Sequence, residues 1–163
     1  GLSASGKTVA SMKLAELIRK QHNNIVLLDG DELRILLNSN SFSNSDRLAL
    51  SHKYAQLANL ISNQGIHVII AVMALFHEVH SWNRQNISNY VEVFIDVPIS
   101  ELQRRDPKGL YRKYKAGEIK NMAGLDLKAE LPINPDYHFD WNDNNGIEDI
   151  PNILLADFQS RLN

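Results

Sequence analysis

Gly1-Leu2-Ser3-Ala4-Ser5-Gly6-Lys7-Thr8 matches the pattern G-x-x-x-x-G-K-[ST] at every fixed position, and this stretch decides the fold. The pattern builds a phosphate cradle. Backbone N–H groups wrap the α- and β-phosphates, the lysine reaches the β- and γ-phosphates, and the hydroxyl ligates Mg²⁺. The glycines allow the turn and the close backbone approach that a side chain would block. Lys7 leads into the apolar-periodic residues Val9, Ala10, Met12, Leu14, Ala15, Leu17 and Ile18, so the anion is expected at a helix N-terminus. A glycine-serine turn capping an ordinary helix is the plainer reading, and four matched positions with a helix directly after them outweigh it. A strand should feed such a loop, and a buried strand is expected just upstream of Gly1.

Outward from the loop the pattern repeats. Ile25–Asp29, Ile66–Val72 and Val91–Val97 are short, β-branched apolar runs, as in strands covered on both faces. Helical patterns fill the spaces: 7–21, about 45–63, and a weaker one near 77–86. A fourth short strand is expected at Tyr137–Asp140 and a closing helix at 147–162. This alternation predicts an α/β domain, a parallel sheet with helices on both faces, as one unit over 1–163. In such sheets ligands bind beyond the carboxyl ends of the strands. The phosphate loop, Asp29-Gly30-Asp31 and the segment after Val72 all fall there.

Composition narrows the function. Hydrophobic residues make up 44% and charged residues 22%, as in an ordinary globular domain. No cysteine is present, which excludes thiolate metal sites and cysteine catalysis and suits a reducing compartment, the cytoplasm. No apolar run is long enough for a membrane span. The net charge of −2 is uneven: residues 104–120 carry seven Lys/Arg against Asp106 and Glu118, a local +5 that leaves −7 elsewhere. That distribution makes a poor nucleic-acid surface and a reasonable local clamp for phosphates. A solvated basic helix face is its plainer alternative.

Asp29 and Asp31 flank a glycine at a strand end. Paired carboxylates there can hold hydrated Mg²⁺ and accept the proton of an attacking hydroxyl. Either could be the base, and Asp31 could instead simply cap a helix over Glu32–Leu37. Other candidates fall away. His77-Glu78-Val79-His80 lacks zinc spacing. Residues 140–146, "DWNDNNG", place glycine one position late for a calcium loop and would put Pro151 at its twelfth position. Asn86-Ile87-Ser88 is a glycosylation acceptor only in a secreted chain.

"GLSASGKT", "LLDGDELR", "FSNSDR", "VEVFIDVP" and "RDPKGLYRKYKAGEIKNMAGLD" occur in this order, and together they resemble the adenylylsulfate kinases from Gly1 to about Pro135. The resemblance implies a P-loop NTPase-like fold with a basic lid over about 104–130. It also implies transfer of the γ-phosphoryl of ATP to the 3′-hydroxyl of adenylylsulfate. ATP and Mg²⁺ would be the cofactors, small nucleotides the partners, and a homodimer is left open. On the ATP side stand Gly1, Ser3, Ala4, Ser5, Gly6, Lys7, Thr8 and Arg105, with Thr8 on the metal. Lys7, Asp31 and Asp29 carry the chemistry. Arg34, Phe42, Arg47, Lys108, Gly109, Leu110 and Met122 face the acceptor.

The departures from the family cluster on the acceptor side. Leu36 replaces a glycine, and Leu50, His52 and Lys53 replace an asparagine and two arginines. Met73-Ala74-Leu75-Phe76-His77 stands for I-S-P-[YFH]-R, and Asn121-Met122-Ala123-Gly124 for N-F-T-G, so Met122 replaces an aromatic that stacks on the acceptor base. The loop itself departs only at Ala4. Three readings compete: an adenylylsulfate kinase with a loosened acceptor pocket, a sibling such as a cytidine diphosphoramidate kinase, and a nucleotide-binding module without turnover.

Overall fold

The computed structural model describes residues 1–141 and 149–162. Eleven elements occur among them: α1 (Lys7–Arg19), β1 (Ile25–Asp29), α2 (Gly30–Leu36), α3 (Asn44–Ser62), β2 (His67–Ala71), α4 (His77–Asn86), β3 (Val93–Asp96), α5 (Ile99–Arg105), α6 (Leu110–Lys115), β4 (Tyr137–Asp140) and α7 (Ile150–Leu162). Each strand and helix expected between Lys7 and Leu162 is found within a few residues. Two short helices, α5 and α6, carry too few turns to show a clear period and emerge only here, while α2 falls where a capped helix over Glu32–Leu37 was the alternative for Asp31. Residues 142–148 lie outside the described set, and with them most of the "DWNDNNG" stretch and the expected start of α7.

All strand pairing in the named strands is parallel. β1 pairs with β2 from Ile25↔His67 to Asp29↔Ala71, and β3 pairs with β4 from Val93↔Tyr137 to Asp96↔Asp140. Successive strand side chains face opposite ways, and the packing follows. Ile25 and Ile69 join Leu14 and Ile18 of α1 and Leu154, Leu155 and Phe158 of α7. Leu28, Ile70 and Val72 join Leu33, Leu50, Tyr54 and Leu57. Helices therefore cover both faces of β1 and β2, which is why these strands read as continuous apolar runs.

The parallel α/β architecture is as expected, and the described strands pair two by two, β1 with β2 and β3 with β4. A cavity of about 550 Å³ lies against both, lined by Val68 and Ile70, by Val93 and Ile95, and by Gly1. No described strand bridges the pairs, so no ladder of hydrogen bonds crosses between them. The cavity is mostly apolar and flanks the strands. The chemistry lies elsewhere, at their carboxyl ends.

Candidate active site

The phosphate loop precedes α1. Gly6 has φ 99, a left-handed conformation that glycine adopts freely and L-residues resist. Ala4 has φ 66 and bears a steric cost of roughly 1 kcal/mol there. No side chain caps α1 and no acid lies in its first turn. By contrast, Asp29 caps α2 and Ser43 caps α3 with side-chain oxygens. The first N–H groups of α1 thus keep their capacity for an anion.

The loop is held from below. Gly1 and Ser5 are buried, and Tyr111 donates from its hydroxyl to the Ser3 carbonyl at 3.2 Å. Arg105 reaches the Ala4 carbonyl at 3.4 Å, with its guanidinium 4.1 Å from the Trp141 ring centre. Lys7 donates to the Leu2 carbonyl at 2.7 Å and more loosely to Ser5 Oγ at 3.4 Å. Burial pushes its pKa down to about 8, with the Lys108 charge acting the same way and Asp31 and Asp29 opposing. A cation so poorly solvated is one that phosphate oxygens would stabilise strongly.

The two carboxylates separate in role. Asp29 closes β1 with both oxygens engaged: Oδ1 accepts the Asp31 N–H at 2.9 Å and Oδ2 accepts the Thr8 hydroxyl at 2.8 Å. The helix cap is therefore Asp29, not Asp31. Only a residue still in extended conformation can fold its side chain back onto the first N–H groups, and Asp29 has φ −96 and ψ 135. Asp31 projects into solvent from the first turn of α2 and is ion-paired with Lys108, which precedes α6. Thr8 and Asp29 form a small cluster of hard oxygens beside the phosphate loop. Mg²⁺ favours such a site, taking one or two protein oxygens and completing its shell with phosphates and water. Among the described residues no group of three or more His, Cys, Asp or Glu could hold a metal ion.

A second constellation sits beyond α2. Phe42 is exposed, with the Arg34 guanidinium 4.6 Å and the Arg47 guanidinium 5.3 Å from its ring centre. Arg34 donates to the Ser41 carbonyl at 2.9 Å. Arg47 donates to the Phe42 carbonyl at 3.1 Å and to the Asn121 carbonyl at 2.9 Å. The serine-rich stretch now has a reason: Asp46 accepts the hydroxyls of Ser41 and Ser43, which hold its pKa below the usual carboxylate range. That network displays Phe42.

The basic segment divides. Arg104 and Arg105 both bind Glu101 within α5, at 2.7 and 2.8 Å, and those bonds draw the Glu101 pKa down to about 2. Glu101 escaped the sequence reading because it lies just outside the charge run. Lys108 instead pairs with Asp31. Gly109 caps α6, and Leu110 packs on the core cluster that holds Tyr111 and Met122. Met122 is only 7% exposed, in one cluster with Val97, Leu102 and Tyr111; the structure does not present it as an open stacking face. Met122→Ala is therefore expected to cost about 2–5 kcal/mol of stability, the usual range for emptying such a core site. Urea unfolding measures it, and a loss under about 0.5 kcal/mol would show the side chain to be a surface group.

Leu50 likewise lies in the core, while His52 pairs with Glu78 at 2.9 Å. The Ala74 carbonyl accepts from His80 Nε2–H at 2.7 Å. The substituted positions thus serve packing and loop anchoring as well as any pocket.

The family model described as adenylylsulphate kinase matches residues 1–140. The chain is 36% identical to the cytidine diphosphoramidate kinase of Campylobacter jejuni, over 81% of this chain and 78% of that one. It is 38% identical to the adenylyl-sulfate kinase of Pseudomonas aeruginosa, over 86% and 73%. Among solved structures, it is similar to the Mycobacterium tuberculosis APS kinase CysC in complex with AMPPNP and APS. The TM-score is 0.86 at 32% identity, covering 98% of this chain and 94% of that one.

Proposed function

The chain belongs to the adenylylsulfate kinase family, and from that premise we propose that it moves the γ-phosphoryl of ATP to the ribose 3′-hydroxyl of adenylylsulfate. The observation that carries the reading is the convergence of Lys7, Thr8, Asp29, Asp31 and Lys108 at the carboxyl end of β1. Phosphoryl transfer asks a protein mainly for positioning and for charge on the transferring oxygens. Lys7 and the N–H groups of the loop serve the ATP phosphates. Asp31, held by one lid lysine and otherwise open, accepts the proton of the acceptor hydroxyl. Thr8 and Asp29 would hold Mg²⁺, which when bound neutralises phosphate charge. Lys108 lies where lid closure brings a second cation to the reacting groups and excludes water. The cytoplasm, where ATP is available, is the expected location.

The divided roles give a direct test. Asp29→Asn keeps an oxygen for the α2 cap but loses the charge beside Thr8. It is expected to raise the Mg²⁺ concentration giving half-maximal rate by ~10-fold, in line with the loss of one charged metal partner. Asp31→Asn should leave that concentration within about twofold. A Mg²⁺ titration of ADP release measures both, and the opposite pattern would exchange the two assignments.

A second reading has its own observation. Phe42 is the one exposed ring between Arg34 and Arg47, and Met122 is buried. A base stacked on one aromatic face forgoes ~1–3 kcal/mol relative to two, which suits a smaller pyrimidine acceptor such as cytidine diphosphoramidate. ADP release with ATP·Mg²⁺ is the deciding measurement, across adenylylsulfate, cytidine diphosphoramidate and shikimate-sized alcohols. Adenylylsulfate giving the highest kcat/KM supports the first reading, and cytidine diphosphoramidate the second. No release with any of them would favour a binding module without turnover.

A further inference from the structure

The hydroxyl of Tyr54 has no place in the reading above, yet it ends at the turn between the two carboxylates. Tyr54 lies in α3 and is 6% exposed, packed with Leu33, Leu50, Leu28, Leu57, Ile70 and Val72. Its hydroxyl donates to the Gly30 carbonyl at 3.2 Å. A phenylalanine would supply the same apolar packing, and a buried hydroxyl is tolerated only with a partner. The partner here is the carbonyl of the one residue that separates Asp29 from Asp31.

That residue has little freedom on its other side. A Cβ at Gly30 would stand 3.2 Å from the Ala71 carbonyl oxygen and 3.2 Å from Val72 Cγ1, so the peptide is pressed against the end of β2. α2 itself has only 7 residues, too short to hold its own direction. Its last residues, Ile35 and Leu36, are exposed, leaving Leu33 as its single buried anchor. Besides the Lys108 pair at its carboxylate, the orientation of Asp31 depends on the few bonds made by the Gly30 turn: the Asp29 cap from one side and the Tyr54 hydroxyl from below. Burial raises the phenol pKa, with Asp31 and Asp29 adding to it and Arg34 opposing, so the group remains a donor.

We infer that Tyr54 is a positioning residue: its hydroxyl fixes the Gly30 peptide and, through it, aims Asp31 at the acceptor hydroxyl. This rests on the reading of Asp31 as the base. The test is a double-mutant cycle with Tyr54→Phe, Asp31→Asn and the pair, assayed by ADP release with ATP·Mg²⁺ and, in separate runs, adenylylsulfate and cytidine diphosphoramidate. Tyr54→Phe is expected to lower kcat about tenfold, the scale of a slightly misaimed catalytic group, with KM for ATP within twofold of the parent. In the Asp31→Asn background it should lower kcat no further. AMPPNP affinity and melting temperature check the fold, and Tyr54→Met replaces the phenylalanine variant if that one does not fold. Parental kcat in Tyr54→Phe, or the same tenfold loss without the Asp31 carboxylate, overturns the inference while leaving the base in place. Parental kcat in Asp31→Asn overturns the base reading instead, and the role of Tyr54 with it. Neither acceptor turning over in the parent removes both.

Discussion

Lys7→Ala is expected to remove phosphoryl transfer, with kcat falling ~10³-fold or more, the upper range for deleting one preorganised charge at a reacting group. The fold should survive. Among the described residues Lys7 is held by the Leu2 carbonyl and Ser5 Oγ, bonds worth roughly 1 kcal/mol each. Its burial, which already pushes the pKa down to about 8, disfavours the ammonium, so truncation also relieves a desolvated charge. The core beneath the loop rests on Ala10, Leu14 and Ile18 of α1, which the substitution leaves alone. ADP release and thermal melting, measured on variant and parent together, check both halves. Turnover near the parental rate would remove the phosphate-loop reading.

Asp31→Asn is expected to lower kcat by ~10²-fold or more, the usual contribution of a positioned general base, with little change in KM for ATP. The amide matches the carboxylate in size, so shape is kept while the proton acceptor is lost. The Asp31–Lys108 pair is largely exposed, at 66% and 55% for the two side chains, and pairs of that kind add little to stability. A loss of rate without a loss of melting temperature therefore separates catalysis from folding. A mild effect here beside a severe one in Asp29→Asn would mean that Asp29 takes the proton.

The chain itself determined the phosphate loop, the strands and the larger helices, because each rests on local spacing. Ile69 and Ile70 illustrate it: β-branched neighbours in an unbroken apolar run require cover on two faces, and α1 with α7 supplies one while α3 supplies the other. Gly6, Lys7 and Thr8 are legible because a phosphate cradle is built from consecutive backbone. The candidate site was legible as a set of residues but not as a set of partners. Asp29 and Asp31 are equivalent on paper, and only the extended backbone at Asp29 decides which folds back to cap α2 and meet Thr8. Lys108 lies 77 positions from Asp31, and no periodicity reports that separation. Glu101 neutralises two arginines that the local charge count assigned to the lid. Tyr54 shows its burial through its spacing from Leu50 and Ala58 along α3, yet not the carbonyl its hydroxyl would find. Met122 entered as an acceptor-facing residue in place of a stacking aromatic, and it lies in the core with Tyr111. Hydrophobic periodicity and turn chemistry act over a few residues and are written along the chain. Hydrogen-bond partnership and burial depend on which surfaces meet, so they are fixed only when the elements pack.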